Sequence, residues 1–251
     1  MQAPCAAARQ CGLWEDIVIR ALLFDFGQTL VDSAEGFRAA EKEAERAVFE
    51  FLGDVSWEDF LDAYRRLRKE LHGRSNFSRQ DLFRGVCQSA GREPETERLV
   101  QWENRYWERV RAATKLFPET LAVLSALRPK YRLGMITNTQ GQRPSVMHRL
   151  REVPALPDFF EVIVVAGEAG VPPKPDPLPF RACLERMGLR PEEAAYVGDD
   201  WRIDVLGARG AGMRAIWLRH ESVRRNWPDV DADAPVITRL DALLSVDRLL
   251  K

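Results

Sequence analysis

Val18-Ile19-Arg20-Ala21-Leu22-Leu23-Phe24-Asp25-Phe26-Gly27-Gln28-Thr29-Leu30 is the stretch from which the fold is read. Val18 to Phe24 has the length and apolar character of a buried strand, and Gly27 marks a tight turn that leaves Asp25 at the strand's carboxyl end. Ligands of α/β proteins bind at the carboxyl ends of parallel strands. Taken alone, Asp25 reads equally well as a cap of the turn or of the helix that follows.

Outward from this stretch the pattern repeats. Tyr131 to Ile136 leads into Thr137 and Asn138, Phe160 to Val165 leads into Ala166, Gly167 and Glu168, and Ala194 to Val197 leads into Gly198, Asp199 and Asp200. Arg214 to Leu218 is a fifth strand candidate, after the turn at Ala211-Gly212. Helix-like stretches lie between them: Glu119 to Leu127, Pro144 to Leu150, Leu178 to Met187 and Ile203 to Arg209. Strand and helix in alternation predict an α/β fold, a parallel sheet wound with right-handed crossovers.

The segment 33–114 differs. It is rich in Glu, Arg and Ala and shows helical spacing: Phe37, Ala40, Ala44, Ala47, Val48 and Phe51 mark one face, Phe60, Ala63, Tyr64, Leu67 and Leu71 a second, and Leu99, Trp102, Tyr106 and Val110 a third. These residues predict a helical module inserted after the first strand, with its aromatics packing helices together. The expected division is a tail over 1–16, a core over 17–32 and 115–251, and the helical insertion over 33–114.

Bulk properties exclude several classes. The 251 residues carry 37 basic and 38 acidic side chains, a net charge of -1, so nothing favours nucleic acid or an anionic membrane as partner. No apolar stretch reaches the ~20 residues that span a bilayer. Cys5, Cys11, Cys87 and Cys183 are scattered with no CxxC pair, which predicts a reduced, cytoplasmic setting. A monomer or homodimer is expected.

In a parallel sheet the strand ends converge on one edge, and here they offer Asp25, then Thr137 with Asn138, then Lys174 in the loop Pro172-Pro173-Lys174-Pro175-Asp176-Pro177, then Asp199 with Asp204. This set suits phosphoryl transfer through an aspartyl intermediate. Asp25 would attack phosphorus. The attacking and attacked groups are both anionic and need cations between them. Mg2+ held by Asp25, Asp199 and a backbone carbonyl would supply one, and Lys174 the other. The Thr137 hydroxyl and the Asn138 backbone N–H are candidates to bind the transferring oxygens. Arg65, Arg66, Arg68, His72 and Arg74 cluster near a turn of the insertion and could meet an anionic substrate or form a solvated face.

These motifs, in this order, resemble the haloacid dehalogenase superfamily from about Ile19 to Leu218. Asp25 to Leu30 is similar to its first motif, Thr137-Asn138 to its second, and Lys174 followed by Phe180 to its third. The fourth matches Gly198-Asp199 with Asp204, Gly207, Ala208 and Gly212. The resemblance implies a Rossmann-like core, a helical cap closing over a small phosphorylated substrate, Mg2+ as cofactor, and Asp204 in the second shell of the metal.

One position departs from the family's phosphatases. They carry a second aspartate two residues after the nucleophile, which protonates the leaving oxygen and later activates water; Gly27 stands there in this chain. The Gly27 carbonyl can still bind metal, but proton transfer worth ~10²–10⁴ in rate is lost. Gln28 could orient water without replacing the acid. An activated leaving group, as in an acyl or aryl phosphate, relieves the need. Three alternatives stay open. A haloacid dehalogenase lacks that aspartate but works without metal, so Asp199 and Asp204 count against it. A phosphonatase needs a cap lysine such as Lys42 or Lys69. The third is a weakly active or non-catalytic binding protein.

Overall fold

The computed structural model describes residues 18–139, 150–223, 226–230 and 233–250. The tail expected over 1–16 and all but the last residue of the helix expected over 144–150 lie outside the described residues.

Six strands form one parallel sheet: β1 (Ala21–Phe24), β4 (Arg132–Asn138), β5 (Val162–Ala166), β6 (Ala194–Gly198), β7 (Arg214–Leu218) and β8 (Val236–Ile237), in the order β5-β4-β1-β6-β7-β8. Side chains alternate between the two faces with the period of a pleated strand. Leu22 and Phe24 of β1, Leu133 and Met135 of β4, Val197 of β6 and Ile216 of β7 join one apolar cluster. Leu23, Ile136, Tyr196 and Trp217 join the other. Helix α5 (Thr120–Leu127) and the C-terminal α8 (Val246–Leu249) cover the first face. Helices α6 (Leu178–Met187) and α7 (Leu206–Gly210) cover the second. A sheet buried on both sides explains why β1 and β6 read as nearly continuous apolar runs rather than alternating ones.

The winding fixes where the site falls. After β1 the chain builds β4 and β5 on one side, then returns to build β6, β7 and β8 on the other. The crevice at such a reversal, beyond the carboxyl end of β1, is the place where α/β sheets hold ligands.

A short antiparallel pair, β2 (Val31–Asp32) with β3 (Lys115–Leu116), carries the chain out of the core and back. Just beyond it, Ser33 Oγ and Thr114 Oγ1 lie 2.9 Å apart and tie the two connections together. Between them stand helices α1 (Ala34–Leu52), α2 (Trp57–Gly73), α3 (Arg79–Ser89) and α4 (Thr96–Ala113). They close on an apolar cluster of their own that includes Val48, Phe60, Tyr64, Phe83, Leu99, Trp107 and Val110. Gly36 lets α1 approach α4, since a Cβ there would lie 2.8 Å from the Val110 carbonyl oxygen.

The elements differ from expectation in bounds and in several additions, among them β2, β3 and α8. Val18 is exposed and the first strand starts at Ala21. Thr137 and Asn138 close β4 from inside the strand rather than following it, because both pair with β5, at Val165 and Ala166. The helix expected from Ile203 opens with a π-helical turn over Trp201–Val205. Helix α3 and strand β8 were not anticipated. The former is short and begins at Ser78, whose hydroxyl accepts the Asp81 N–H at 3.1 Å, an S-x-x-D start signal. The latter is only two residues long. No described helix is long and apolar enough to cross a membrane.

Candidate functional site

The end of β1 continues its ladder for one more residue, with the Asp25 N–H donating to the Val197 carbonyl at 2.9 Å. That bond fixes the backbone from which the Asp25 carboxylate projects. Thr29, four residues on, donates its hydroxyl to Asp25 Oδ2 at 3.3 Å. Between them Gln28 adopts a left-handed φ of 61°, unusual for a side chain other than glycine and the kind of strain found at functional turns. Its Oε1 accepts the Ser33 N–H at 2.8 Å, so the amide braces the entrance to α1.

Lys174 is the centre of the polar network and is 1% exposed. An ammonium has three donors, and all three are used here. They go to Asp25 Oδ1 at 2.8 Å, Asp204 Oδ1 at 2.7 Å and the Tyr196 hydroxyl at 2.8 Å. Tyr196 in turn donates to the Ile136 carbonyl at 2.8 Å, which leaves its oxygen free to accept from the lysine. Burial alone would lower the Lys174 pKa, but Asp204 and Asp25 overcome it and hold the ammonium charged. The lysine backbone is clamped too. Asn138 accepts the Lys174 N–H at 2.8 Å and donates to the Lys174 carbonyl at 3.2 Å. The Asn138 side chain thus positions the lysine loop.

The acidic loop after β6 is equally constrained. Trp217 Nε1 donates to the Asp199 carbonyl at 3.0 Å. Asp200 Oδ1 accepts the Ile203 N–H at 2.8 Å, capping the π-helical turn, and Asp204 Oδ2 accepts the Asp200 N–H at 2.9 Å. Oxygens of Asp25, Asp199 and Asp204 lie within 4.8 Å of one another. Three carboxylates against one ammonium leave a charge of minus two, and hard oxygen donors around that charge suit a divalent cation such as Mg2+. Burial raises the pKa of Asp204 against the pull of Lys174, and Asp25 adds to the rise.

Packing makes this loop intolerant of change. A Cβ added at Gly198 would fall within 3.0 Å of the Asp204 side chain. Gly198→Ala is expected to destabilise the fold by about 2–3 kcal/mol through overpacking, read by thermal denaturation. An unchanged melting temperature would contradict it.

The sheet edge and the helical module share one cavity of about 590 Å³, which brings together Asp25, Gly27, Thr137, Asn138, Lys174, Asp199 and Asp204. Arg68 and His72 reach it, whereas Arg65, Arg66 and Arg74 are exposed and do not line it. Neither Lys42 nor Lys69 lines it. Sequence reading missed Tyr196, Glu41, Arg79, Tyr106 and Arg202. The last donates to the His72 carbonyl at 3.1 Å and so ties the acidic loop to α2.

Burial and the neighbouring Arg79 and Arg68 push the His72 pKa down to about 4. A folded value below the unfolded 6.5 means that the unfolded chain binds the proton first. This contribution is therefore intact above about pH 6.5 and is lost as pH falls toward 4. Thermal melting is expected to drop over that window, and less so in His72→Gln. An equal drop in both would contradict the assignment.

Comparison with known proteins agrees with this geometry. The haloacid dehalogenase-like hydrolase family matches residues 19–212. The glyceraldehyde 3-phosphate phosphatase of Methanopyrus kandleri is 31% identical over 238 residues, covering 93% of this chain and 99% of that protein. The phosphoserine phosphatase of Thermus thermophilus is 32% identical over 230 residues, covering 87% and 88%. Among solved structures, the 2-haloacid dehalogenase of Pseudomonas syringae pv. Tomato DC3000 superposes with a TM-score of 0.63 at 28% identity, covering 92% of this chain and 99% of that one. A family match across most of the chain, joined to curated relatives that are phosphatases, makes this protein a hydrolase and a member of the haloacid dehalogenase-like hydrolases.

Proposed function

We propose that the chain is a Mg2+-dependent phosphatase of small phosphorylated metabolites, with Asp25 as nucleophile. The observation that carries this reading is the Asp25 carboxylate, held 2.8 Å from a fully bonded Lys174 on the wall of a cavity that also exposes Asp199. Asp25 forms a bond to phosphorus while the bond from phosphorus to the leaving oxygen breaks, and water then cleaves the aspartyl phosphate. Lys174 offsets negative charge as the two anions approach. The Thr137 hydroxyl and the Asn138 backbone N–H receive the transferring oxygens. Mg2+ held by Asp25, Asp199 and the Gly27 carbonyl, with Asp204 behind them, would supply the remaining positive charge. Residues 33–114 serve as the cap over the substrate. The scattered cysteines support a cytoplasmic enzyme.

Gly27 gives the leaving oxygen no proton, so the favoured substrates are those whose leaving group departs as a stable anion. A second reading, dehalogenation, draws on the same absence and on the likeness to the Pseudomonas enzyme. A panel of acyl phosphates, alkyl phosphates and haloacids, assayed with and without Mg2+, separates the two. Mg2+-dependent release of phosphate, fastest from the acyl phosphates, is expected. Metal-independent halide release would overturn the phosphatase reading, and inactivity on every class would leave a binding protein.

A further inference from the structure

The helical wall of the cavity carries a cation that the chemistry above does not use. Arg79, the first residue of α3, is 6% exposed, yet its Nε has no hydrogen-bond partner. Its guanidinium is held by Glu41 at 3.7 Å and by the face of Tyr106, 4.4 Å from the ring centroid. Glu41 is already shared, because it also accepts from Arg68 at 2.7 Å and from the Tyr106 hydroxyl at 3.0 Å. One carboxylate between two guanidiniums, with Arg38 lining the same wall, leaves basic groups in excess there. Beside it the His72 Nε2 is buried without a partner and lines the same cavity. Buried polar atoms are costly to leave unpaired, and both residues line the cavity.

We propose that Arg79, Arg68 and His72 form an anion subsite that takes a single carboxylate at the end of the substrate remote from its phosphoryl group. The proposal rests on the phosphatase reading for the placement of the other end at Asp25. A carboxylate suits the subsite for two reasons. The wall's excess of basic groups favours an anion, and a planar guanidinium donates to both oxygens of a carboxylate in parallel. A substrate with a neutral far end leaves Arg79 unpaired and binds less well. The preferred class is therefore a short phosphorylated carboxylic acid rather than a phosphorylated aldehyde or alcohol.

The test is calorimetric titration of the full chain carrying Asp25→Asn, in Mg2+, with three two-carbon probes: 2-phosphoglycolate, 2-hydroxyethyl phosphate and 1,2-ethanediol bisphosphate. The carboxylate probe is expected to bind about 10-fold or more tighter than the hydroxyl probe. Adding Arg79→Met should bring that ratio to about 1, and adding Arg68→Gln should lower it about 3-fold. Arg68 is more exposed than Arg79, so its variant carries the test if Arg79→Met does not fold. Equal binding of the carboxylate and hydroxyl probes overturns the subsite while leaving the phosphatase reading intact. So does a ratio that neither variant changes, including a uniform loss of affinity. A bisphosphate that binds tighter than the carboxylate overturns the choice of ligand. Failure of every probe to bind overturns the subsite, whereas a carboxylate preference in a chain that hydrolyses nothing sustains the subsite alone.

Discussion

Asp25→Asn is expected to reduce Mg2+-dependent hydrolysis of an acyl phosphate by about 10⁴-fold or more, to the background of the assay. The amide matches the carboxylate in size but is neutral and a poor nucleophile, so the covalent step has no substitute. Structural damage would not explain the loss. Lys174 keeps Asp204 and Tyr196 as acceptors when Asp25 loses its charge, so the loop that carries it stays anchored. A circular dichroism melt close to that of the parent, alongside the lost turnover, separates chemistry from folding. Retention of more than about a tenth of the activity would mean that water is activated directly and that no bond to Asp25 forms.

Gly27→Asp is expected to work in the opposite direction, raising kcat/KM on simple alkyl phosphates by about 10²–10⁴-fold. On the proposed reading, glycine at this place offers no proton to the leaving group, while Asp25, Lys174 and the acidic loop stand in position. The backbone accepts the change, since Gly27 is not among the residues with left-handed φ, and a β-carbon there introduces no φ strain. The gain should be largest where the leaving alkoxide is most basic and small for acyl phosphates, whose leaving group needs no proton. A uniform change across leaving groups would contradict the account, because a general acid acts in proportion to the need for protonation.

The parts readable in the sequence were those whose signal is local. Asp25, Thr137, Lys174 and Asp199 each stand at the end of an apolar run or in a proline-bounded loop, and a parallel sheet with helices on both faces is enough to bring such ends together. The rest depended on distance in space. Tyr196 reads as one more core residue of a strand, and only the fold places its hydroxyl between Lys174 and the Ile136 carbonyl. Glu41 and Arg79 lie 38 positions apart in a charge-rich segment where both look solvated. Packing of α1, α3 and α4 around Tyr106 buries Arg79 and half-buries Glu41 instead. The backbone N–H of Asn138 was the candidate for oxygen binding, and the structure gives the side chain of that residue to the Lys174 backbone. Of the five basic residues read as one cluster, helical geometry turns only Arg68 and His72 toward the cavity, because α2 presents different faces to core and solvent.

The account stands on a covalent bond between Asp25 and phosphorus. It is tested most directly by quenching the enzyme in acid during Mg2+-dependent turnover of an acyl phosphate and locating any adduct by peptide mass spectrometry. The predicted result is one phosphoryl group on the peptide that contains Asp25, absent from Asp25→Asn and from enzyme turned over without Mg2+. Turnover at the full rate with no adduct on that peptide, or with the adduct on another residue, would contradict it.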